Sequence, residues 1–367
     1  MRRKISHLRS RVAREQLSNL TPTAVTRWLA AAGALAILAS LLVGAGVGHA
    51  GTEQRAGTIA FLRAPAIQSP QTSLFVVRED GTGLRRLTSS RSRVYAHAWS
   101  PDGRFIAYTD GGSLWLVRPD GTGRRRLASR TQMNSRALAV TWAPHGKALA
   151  VGGDGYPASQ AWSIYVVPTH GGTPRRLPVD DAAEPAWSPR GDEIAYSSPA
   201  GVIRAVRSDG TGRPSVILPG TPGCFGPAWS ADGRRLAAAC GDSQGRYAYV
   251  DVVNADGSNR RRLTRHAYNE YGFAWSPTGR RILYGREDRQ GIYVIGAEGV
   301  ADRKITSDSP AEVSWGALTW APDGRAIAYT TDRTGNGDLY VIGADGRNMR
   351  RLTNSAASDV DPTWAPN

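Results

Sequence analysis

The stretch Ala98-Trp99-Ser100-Pro101-Asp102-Gly103-Arg104-Phe105-Ile106-Ala107-Tyr108 decides the fold, because variants of it recur along most of the chain. Each variant contains one of seven tryptophans: Trp99, Trp142, Trp187, Trp229, Trp275, Trp320 and Trp364. The intervals between them are 43, 45, 42, 46, 45 and 44 residues. A repeat of this length is typical of a four-stranded propeller blade, which buries its faces only by stacking on neighbouring blades. The sequence therefore predicts a closed ring of blades.

Three more apolar segments follow each complete tryptophan phrase, and they determine the predicted number of blades. In the Trp320 unit they are 326–329, 339–342 and 350–353. The region before Trp99 supplies three equivalent segments without a tryptophan strand: 59–62, 74–77 and 85–88. Trp364 has no segments after it, so we expect its strand to complete the first blade and remove the free sheet edges. The predicted fold is an all-β, seven-bladed β-propeller of four-stranded blades, closed by the C-terminal strand; six blades are the alternative.

Two families of tight turn punctuate the units. In Ser-Pro-Asp-Gly, Pro presets φ, Asp bonds its own backbone and Gly takes a positive φ. The second family joins the third and fourth strands: Asp80-Gly81-Thr82-Gly83, Asp120-Gly121-Thr122-Gly123, Asp209-Gly210-Thr211-Gly212 and Asp345-Gly346. Because these acids recur from unit to unit, we interpret them as turn residues and expect no metal or other cofactor. His145 and His170 occupy the Asp position of such turns and are interpreted in the same way.

The phrase Trp-Ser-Pro-Asp-Gly-Arg-x-Ile-Ala-Tyr, followed by Leu-Tyr-Val-Ile, Asp-Gly and Arg-Arg-Leu-Thr, resembles the TolB-type, WD40-like propeller repeat over about residues 57–367. The resemblance implies the propeller fold. TolB itself is a periplasmic protein with two domains, in which an α/β domain precedes the propeller. Here only about ten residues separate the N-terminal apolar segment from the first predicted strand. We therefore do not expect that domain, and without it the resemblance does not imply a TolB-specific partner such as a peptidoglycan-associated lipoprotein.

The N-terminal residues predict export. Residues 1–27 carry seven Lys and Arg against one Glu, and residues 28–48 contain no charge. At ~1.5 Å per residue, such a helix spans a ~30 Å hydrocarbon core, and its basic flank favours a cytoplasmic N-terminus. We expect a basic cytoplasmic segment (1–27), a transmembrane anchor or signal helix (28–48), a linker (49–56) and an extracytoplasmic propeller (57–367). Cleavage before Gly51 would instead release a secreted or periplasmic protein.

The formal charge of +15 is divided between two parts of the chain. Residues 1–50 contribute +6 and the remainder contributes +9. Much of that remainder lies in pairs before the fourth strands: Arg85-Arg86, Arg125-Arg126, Arg175-Arg176, Arg261-Arg262 and Arg350-Arg351. Because the pairs hold equivalent places, we expect a spaced outer ring of charge. Nucleic-acid binding requires clustered charge, so no nucleic-acid partner is expected, and weak attraction to anionic polymers or lipid head groups stays open.

The two cysteines flank a predicted hairpin. Cys224 precedes Trp229, and Cys240 ends the next strand. A turn centred on residues 232–233 places the two within one residue of direct opposition. In an exported protein this arrangement predicts a disulfide, with two reduced buried thiols as the alternative.

The variable loops are the predicted binding surface. The sequence contains no Gly-x-Ser-x-Gly, His-Glu-x-x-His, Cys-x-x-Cys or P-loop motif. By contrast, two kinds of loop vary and emerge together at one end of the blades, which we call the variable face. The loops before the tryptophan strands are 89–97, 129–140, 178–185, 219–227, 265–273, 307–318 and 354–362. The loops between the second and third strands include 63–73, 152–162, 241–246, 285–291 and 330–338. Aromatic and Arg side chains are the usual anchors of interfaces. The predicted binding residues are Tyr95, His97, Arg136, Tyr156, Trp162, His266, Tyr268, Tyr271 and Trp315.

Two classes of function follow from these patterns. The favoured hypothesis is a non-enzymatic, monomeric propeller that binds an extracytoplasmic protein or glycan and contacts the membrane through its N-terminal helix. The alternative is a propeller hydrolase or lyase with acids and histidines at the axial mouth: Glu184, Glu270, Asp308, Glu312, Asp361, His97 and His266. Two carboxylates ~5–10 Å apart in an axial pocket would favour hydrolysis, and scatter around the rim would favour binding.

Overall fold

The strands form seven separate antiparallel sheets, each with four strands. The computed structural model describes residues 57–65, 69–155, 162–220, 223–241, 248–264, 270–286, 291–306 and 318–367. Within these ranges lie 28 strands and one single-turn helix, α1 (Arg130–Met133). The prediction of an all-β propeller with seven four-stranded blades is confirmed. The predicted segments 1–27, 28–48 and 49–56 lie outside the described residues.

Six of the seven blades are built from consecutive strands. Blade 1 contains β28 (Ser358–Trp364), β1 (Thr58–Ala64), β2 (Ser73–Arg78) and β3 (Arg85–Arg86). Blades 2 and 3 contain β4 (Val94–Trp99), β5 (Ile106–Asp110), β6 (Ser113–Val117), β7 (Arg125–Ala128), β8 (Ser135–Trp142), β9 (Ala148–Gly155), β10 (Ser163–Pro168) and β11 (Arg175–Arg176). Blades 4 and 5 contain β12 (Ala183–Trp187), β13 (Glu193–Ser197), β14 (Ile203–Arg207), β15 (Ser215–Leu218), β16 (Cys224–Trp229), β17 (Arg235–Gly241), β18 (Ala248–Asn254) and β19 (Arg261–Arg262). Blades 6 and 7 contain β20 (Glu270–Trp275), β21 (Arg281–Arg286), β22 (Gly291–Gly296), β23 (Arg303–Lys304), β24 (Thr319–Trp320), β25 (Ala326–Thr331), β26 (Asp338–Gly343) and β27 (Arg350–Arg351).

The C-terminal strand closes blade 1, as predicted. Trp364 pairs with Ile59 in the β1–β28 register, and further along Asp359 pairs with Arg63. The Arg63 guanidinium donates two hydrogen bonds to the Asp359 carboxylate, at 2.6 and 2.8 Å, and that carboxylate is fully buried. Trp364 is fully buried as well. The closure therefore combines backbone pairing, a two-point ion pair and apolar burial.

The tryptophan strands form a continuous inner cycle. Each one contacts the tryptophan strand of the next blade, in the order β28, β4, β8, β12, β16, β20, β24 and back to β28. Five indole nitrogens donate to the carbonyl of the small residue before the preceding blade's tryptophan: Trp99 to Thr363, Trp142 to Ala98, Trp229 to Ala186, Trp275 to Ala228 and Trp320 to Ala274, at 3.0–3.2 Å. In these five blades the tryptophan thus fills a blade junction and satisfies its own N–H there. The buried indole nitrogen of Trp364 has no hydrogen-bond partner among the described residues. Trp187 differs, since it donates to Gly191 in its own turn.

The hydrophobic core is divided among the blade junctions. Seven clusters of buried side chains are present in the described part of the chain, and each joins two consecutive blades. The cluster between blades 7 and 1 contains Ile59, Phe61 and Trp364 together with Leu339 and Val341. A single blade therefore has no core of its own, which is why the ring must close to be stable.

The turn carboxylates have the roles that the sequence predicts. Asp102 accepts hydrogen bonds from the Ser100 hydroxyl at 2.6 Å and from the Arg104 N–H at 3.0 Å. In the second family, hydrogen bonds from the following Thr lower the pKa of Asp80, Asp120 and Asp209. His145 acts in the same way, because its Nδ1 accepts from the Lys147 N–H at 3.1 Å. These side chains shape the turns.

The arginine pairs are more than the solvated ring of charge at the outer edge that the sequence alone suggested, because one residue of each pair bonds the neighbouring blade. In six blades the first basic residue of the fourth strand donates to a backbone carbonyl in the next blade's turn: Arg85 to Asp120, Arg125 to Thr169, Arg175 to Ser208, Arg261 to Glu298, Arg303 to Asp345 and Arg350 to Glu79, at 2.5–3.0 Å. Blade 4 has Ser215 at this position. Ser215 pairs with Ala205 in the register of blade 4, just as Arg85 pairs with Val76 in blade 1. One outer clasp is therefore missing from the ring.

Restoring the missing clasp is expected to stabilise the protein. Ser215→Arg would bring a guanidinium to the turn of blade 5 and should add about 0.5–1.5 kcal/mol to the free energy of unfolding, as for a single net hydrogen bond. Ser215→Met, which supplies a long side chain without donors, is the matched control. Urea unfolding of both variants measures the effect, and equal stabilities would show that the clasps contribute nothing.

Candidate interaction face

The described residues include four of the nine predicted binding residues with their side chains. These are Tyr95, His97, Arg136 and Trp162. Tyr271 lies in β20, where the backbone alone is described. The other four lie outside the described residues: Tyr156, His266, Tyr268 and Trp315. Their placement on the variable face stays a prediction.

Three of the four side chains are brought to one end of the blades. Tyr95 and Arg136 lie near the starts of first strands, β4 and β8, and Trp162 directly precedes a third strand, β10. First and third strands of an antiparallel blade run in the same direction, so their starts lie at the same end. All three side chains are partly exposed. The variable face therefore presents two aromatic rings and a guanidinium in blades 2 and 3.

The helix α1 positions Arg136. Ser129 caps its N-terminus by accepting from the Gln132 N–H, while the Gln132 side chain accepts from the Ser129 N–H, and Met133 anchors the turn at 0% exposure. Opposite, a Cβ on Gly112 would lie 3.3 Å from the Arg136 Cα. Since Gly112 also has a φ of +82°, a larger residue there would displace the start of β8.

A bulge at the start of the tryptophan strand corrects the role of one candidate acid. The position three residues before the tryptophan has a positive φ, between 49° and 58°, in four blades. The residues at this position are Glu184, Gly226, Gly272 and Asp361. The Glu184 carboxylate accepts from the Ser197 hydroxyl at 2.7 Å and from the Gly226 N–H of the next blade at 2.8 Å. Glu184 therefore links blades 4 and 5 at the bulge. Glycine at the equivalent places in blades 5 and 6 is the sequence signal for this conformation.

His97 was expected among the exposed binding or catalytic residues, and the structure corrects this. Its side chain is 2% exposed, and its Nε2 has no hydrogen-bond partner among the described residues. Burial lowers its pKa to about 4, against a hydrogen bond to the Ala60 backbone that raises it. His97 is consequently a neutral packing residue between blades 1 and 2 near neutral pH, because the hydrophobic environment disfavours the cation.

An ion-pair network behind the variable face was not predicted from the sequence. Asp338 is fully buried and accepts from Arg351 at 2.6 Å and from the Thr334 hydroxyl at 2.7 Å. The Asn336 amide donates to the carbonyls of Ser355 and Ala357, both at 2.7 Å. These bonds tie the loop of blade 7 to the segment that leads into β28. The stretch Asn336-Gly337-Asp338, which the other units lack, was the available signal.

The two cysteines lie at the end of blade 5 that carries the variable loops. Cys224 and Cys240 are direct register partners at the start of β16 and the end of β17. They form a disulfide, with Cα atoms 4.0 Å apart, and both are fully buried. The crosslink holds the hairpin where it meets the variable loops.

The described ranges contain neither a cluster suited to a metal ion nor a helix suited to a membrane span. No group of three or more His, Cys, Asp or Glu there could hold a metal ion. In the same ranges, no helix has the length and apolar character needed to cross a membrane. The apolar segment 28–48 lies outside them.

Comparison with known proteins places the fold. No family model matches the chain. A region of 193 residues is 29% identical to the intraflagellar transport protein 80 homolog of Mus musculus, covering 49% of this chain and 23% of that protein. The crystal structure of TolB from Acinetobacter baumannii gives a TM-score of 0.55 at 19% identity, covering 85% of this chain and 67% of TolB. The fold is that of the TolB-like, WD40-like β-propellers.

An enzyme is also among the solved structures with a similar fold. The crystal structure of puromycin hydrolase gives a TM-score of 0.65 at 14% identity, covering 89% of this chain and 55% of the hydrolase. At such identities the likeness extends to the fold alone. Function must therefore be argued from the residues of this TolB-like propeller.

Proposed function

We propose that this protein is a non-enzymatic, extracytoplasmic binding propeller that contacts an envelope protein or glycan through its variable face. The supporting observation is the difference between the two ends of the blades. At one end, carboxylates such as Asp102 and Asp120 are hydrogen-bonded within their own turns. At the other end, Tyr95, Arg136 and Trp162 keep exposed surface. Tyr, Trp and Arg are the side chains that most often dominate binding energy.

The scaffold behind this face favours binding because it is pre-organised. The Cys224–Cys240 disulfide and the Asp338–Arg351 pair hold the loop-bearing ends of blades 5 and 7. Less conformational entropy is then lost when a partner docks. The proposal includes a monomeric protein with a membrane anchor at residues 28–48, or a released protein if the chain is cleaved before Gly51.

The enzymatic alternative has less support among the described side chains. Of its five candidate acids, Glu184 is engaged by Ser197 and Gly226. Its candidate His97 is buried. Asp361 lies at the bulge, and only the backbone of Glu270 is described. The remaining candidates lie outside the described residues: Asp308, Glu312 and His266. Two of the candidates for catalysis, Glu184 and His97, thus have structural roles in the described part of the chain.

Variants of the variable face and of the turns are expected to have opposite effects. Tyr95→Ala and Trp162→Ala should each weaken binding by about 2 kcal/mol, roughly thirtyfold, as interface anchors do. Asp102→Ala and Asp323→Ala should instead lower the free energy of unfolding by about 1 kcal/mol, because each carboxylate bonds its own turn, and leave binding unchanged. Melting temperature and capture of components from a solubilised envelope fraction are measured in parallel for all four.

The turn variants serve as the matched control for general loss of stability. If they abolish capture while fully folded, the functional surface is on the opposite side of the ring. If all four variants capture the same components as the wild type, binding does not involve these residues at all.

A further inference from the structure

The net charge of the propeller is concentrated in the first three blades. Residues 57–180 contain sixteen Lys and Arg and seven Asp and Glu, a balance of +9. Residues 181–367 contain twenty-two of each and are neutral. The strand β28 does bring Asp359 into blade 1, but that carboxylate is buried against Arg63. Basic residues are similarly frequent in both parts, so the asymmetry comes from the small number of acids in the first three blades.

The second arginine of each pair in these blades occupies one register position. Arg86 lies opposite Phe75, Arg126 opposite Trp115 and Arg176 opposite Tyr165. Equivalent register in three consecutive blades places them on the same side of the outer rim. All three are exposed and lie on fourth strands. We name these three residues the arginine track.

Of the equivalent residues elsewhere in the ring, two are neutralised, one is replaced by an uncharged side chain, and blade 6 has a partly buried lysine, Lys304. Arg262 in blade 5 and Arg351 in blade 7 pair with the buried carboxylates of Asp251 and Asp338, at 3.4 and 2.6 Å. Blade 4 has Val216 at this position. In blade 7 the third strand begins with that Asp, whereas in blades 1 to 3 it begins with a serine: Ser73, Ser113 and Ser163. The first three blades thus lack the compensating acid.

The track itself has little compensation. In the described part of the chain, no carboxylate lies within salt-bridge distance of Arg86 or Arg126. Arg176 meets Asp180 at 3.3 Å, but that carboxylate is 88% exposed, and such pairs contribute little. Arg176 also donates to the Ser163 hydroxyl at 3.1 Å, and Arg126 lies 5.9 Å from the centre of the Trp115 ring. Neither contact neutralises the guanidinium charge, so the three groups can still attract an external anion, for which Arg geometry is well suited.

The neighbouring aromatic rings are already covered, which limits the class of ligand. Phe75 stacks on Phe61 at 5.6 Å and carries the Arg63 guanidinium at 4.6 Å from its ring centre. Trp115 stacks on Tyr108 at 6.5 Å and carries Arg124 at 4.5 Å. Single-stranded nucleic acids need free aromatic faces on which bases stack. This rim offers charge without stacking platforms.

We infer that the arginine track binds a linear phosphate polymer without bases, along the outer rim of blades 1 to 3. Guanidinium groups bind phosphate oxygens through charge-assisted hydrogen bonds, and a long polymer can contact all three blades while release of counterions supplies much of the free energy. The track lies on fourth strands rather than in the variable loops, although Arg176 reaches Ser163 and Asp180 at the edge of the variable face. It gives the protein a second partner of defined chemistry.

The test compares two triple variants of the full-length protein in mild detergent. R86Q/R126Q/R176Q removes the track, and R213Q/R234Q/R325Q removes three exposed arginines from the neutral blades. Both lose the same charge, and the basic residues 1–27 are common to all proteins. Long-chain inorganic polyphosphate is the probe, titrated at several salt concentrations, with single-stranded DNA of similar charge as the comparison.

The track variant should bind polyphosphate at least about tenfold more weakly, and the slope of log affinity against log salt should fall by about two. The control variant should stay within about twofold of the wild type. Equal weakening by both variants, absence of wild-type binding, or DNA binding as tight as polyphosphate binding would each overturn the inference. The double variant R86Q/R126Q keeps the contacts of Arg176 with Ser163 and Asp180, so it should leave capture through the variable face unaffected while weakening polyphosphate binding. Failure of one proposal is then distinguishable from failure of the other.

Discussion

Removal of residues 358–367 is expected to prevent the propeller from folding into a stable, monodisperse ring. The deletion removes the whole of β28 and exposes one edge of β1. Loss of the buried Trp364 alone should cost about 3–5 kcal/mol. Arg63 also loses the carboxylate that satisfies two of its donors. Since a typical domain has only about 5–15 kcal/mol of stability in total, the expected result is unfolding or association through the open edge.

Size-exclusion chromatography and thermal melting measure this effect. The matched control removes residues 366–367 alone, which leaves β28 and the hydrogen bond from the Ala365 N–H to Thr58 in place. The control should elute and melt close to the wild type. A monomeric truncation at 358 with an unchanged melting temperature would show that the ring does not depend on this closure.

Acidification is expected to destabilise the ring through His97. Its ordinary pKa is 6.5 and its pKa in the folded protein is about 4. Between these two pH values the unfolded chain binds a proton that the folded protein does not, so the free energy of unfolding falls as the pH falls. The contribution of neutral His97 to the free energy of unfolding is fully present above pH 6.5, and about 3 kcal/mol of it should be lost by pH 4.

Replacement by an apolar ring isolates this effect from the titration of carboxylates. Phe273 occupies the equivalent position in blade 6 and is buried there, so His97→Phe is the matched variant. Urea unfolding of both proteins between pH 7 and pH 4 gives the comparison. The variant should lose about 3 kcal/mol less than the wild type over this range. Parallel pH dependence of the two proteins would mean that His97 can be protonated without disturbing the junction.

The candidate site was predictable to a smaller extent than the fold. The variable face follows from loop length and strand direction, both of which the sequence contains. The roles of single side chains do not follow from the same information. Glu184 and His97 both belong to variable loops by sequence, yet one is held by Gly226 of the next blade and the other is buried against blade 1.

The sequence alone determined the number of blades, the closure by Trp364, the turn roles of residues such as Asp102 and the pairing of Cys224 with Cys240. Each of these depends on spacing within one unit or on a repeat of about 44 residues, and both can be read along the chain. The tertiary structure decided which charges are neutralised and which are free. Arg85, Arg351 and Arg126 look alike in sequence, but one bonds the next blade, one bonds a buried Asp and one stays available. Electrostatic and hydrogen-bonding partners come from neighbouring blades and strands, so contacts made only on ring closure decide the function of each arginine.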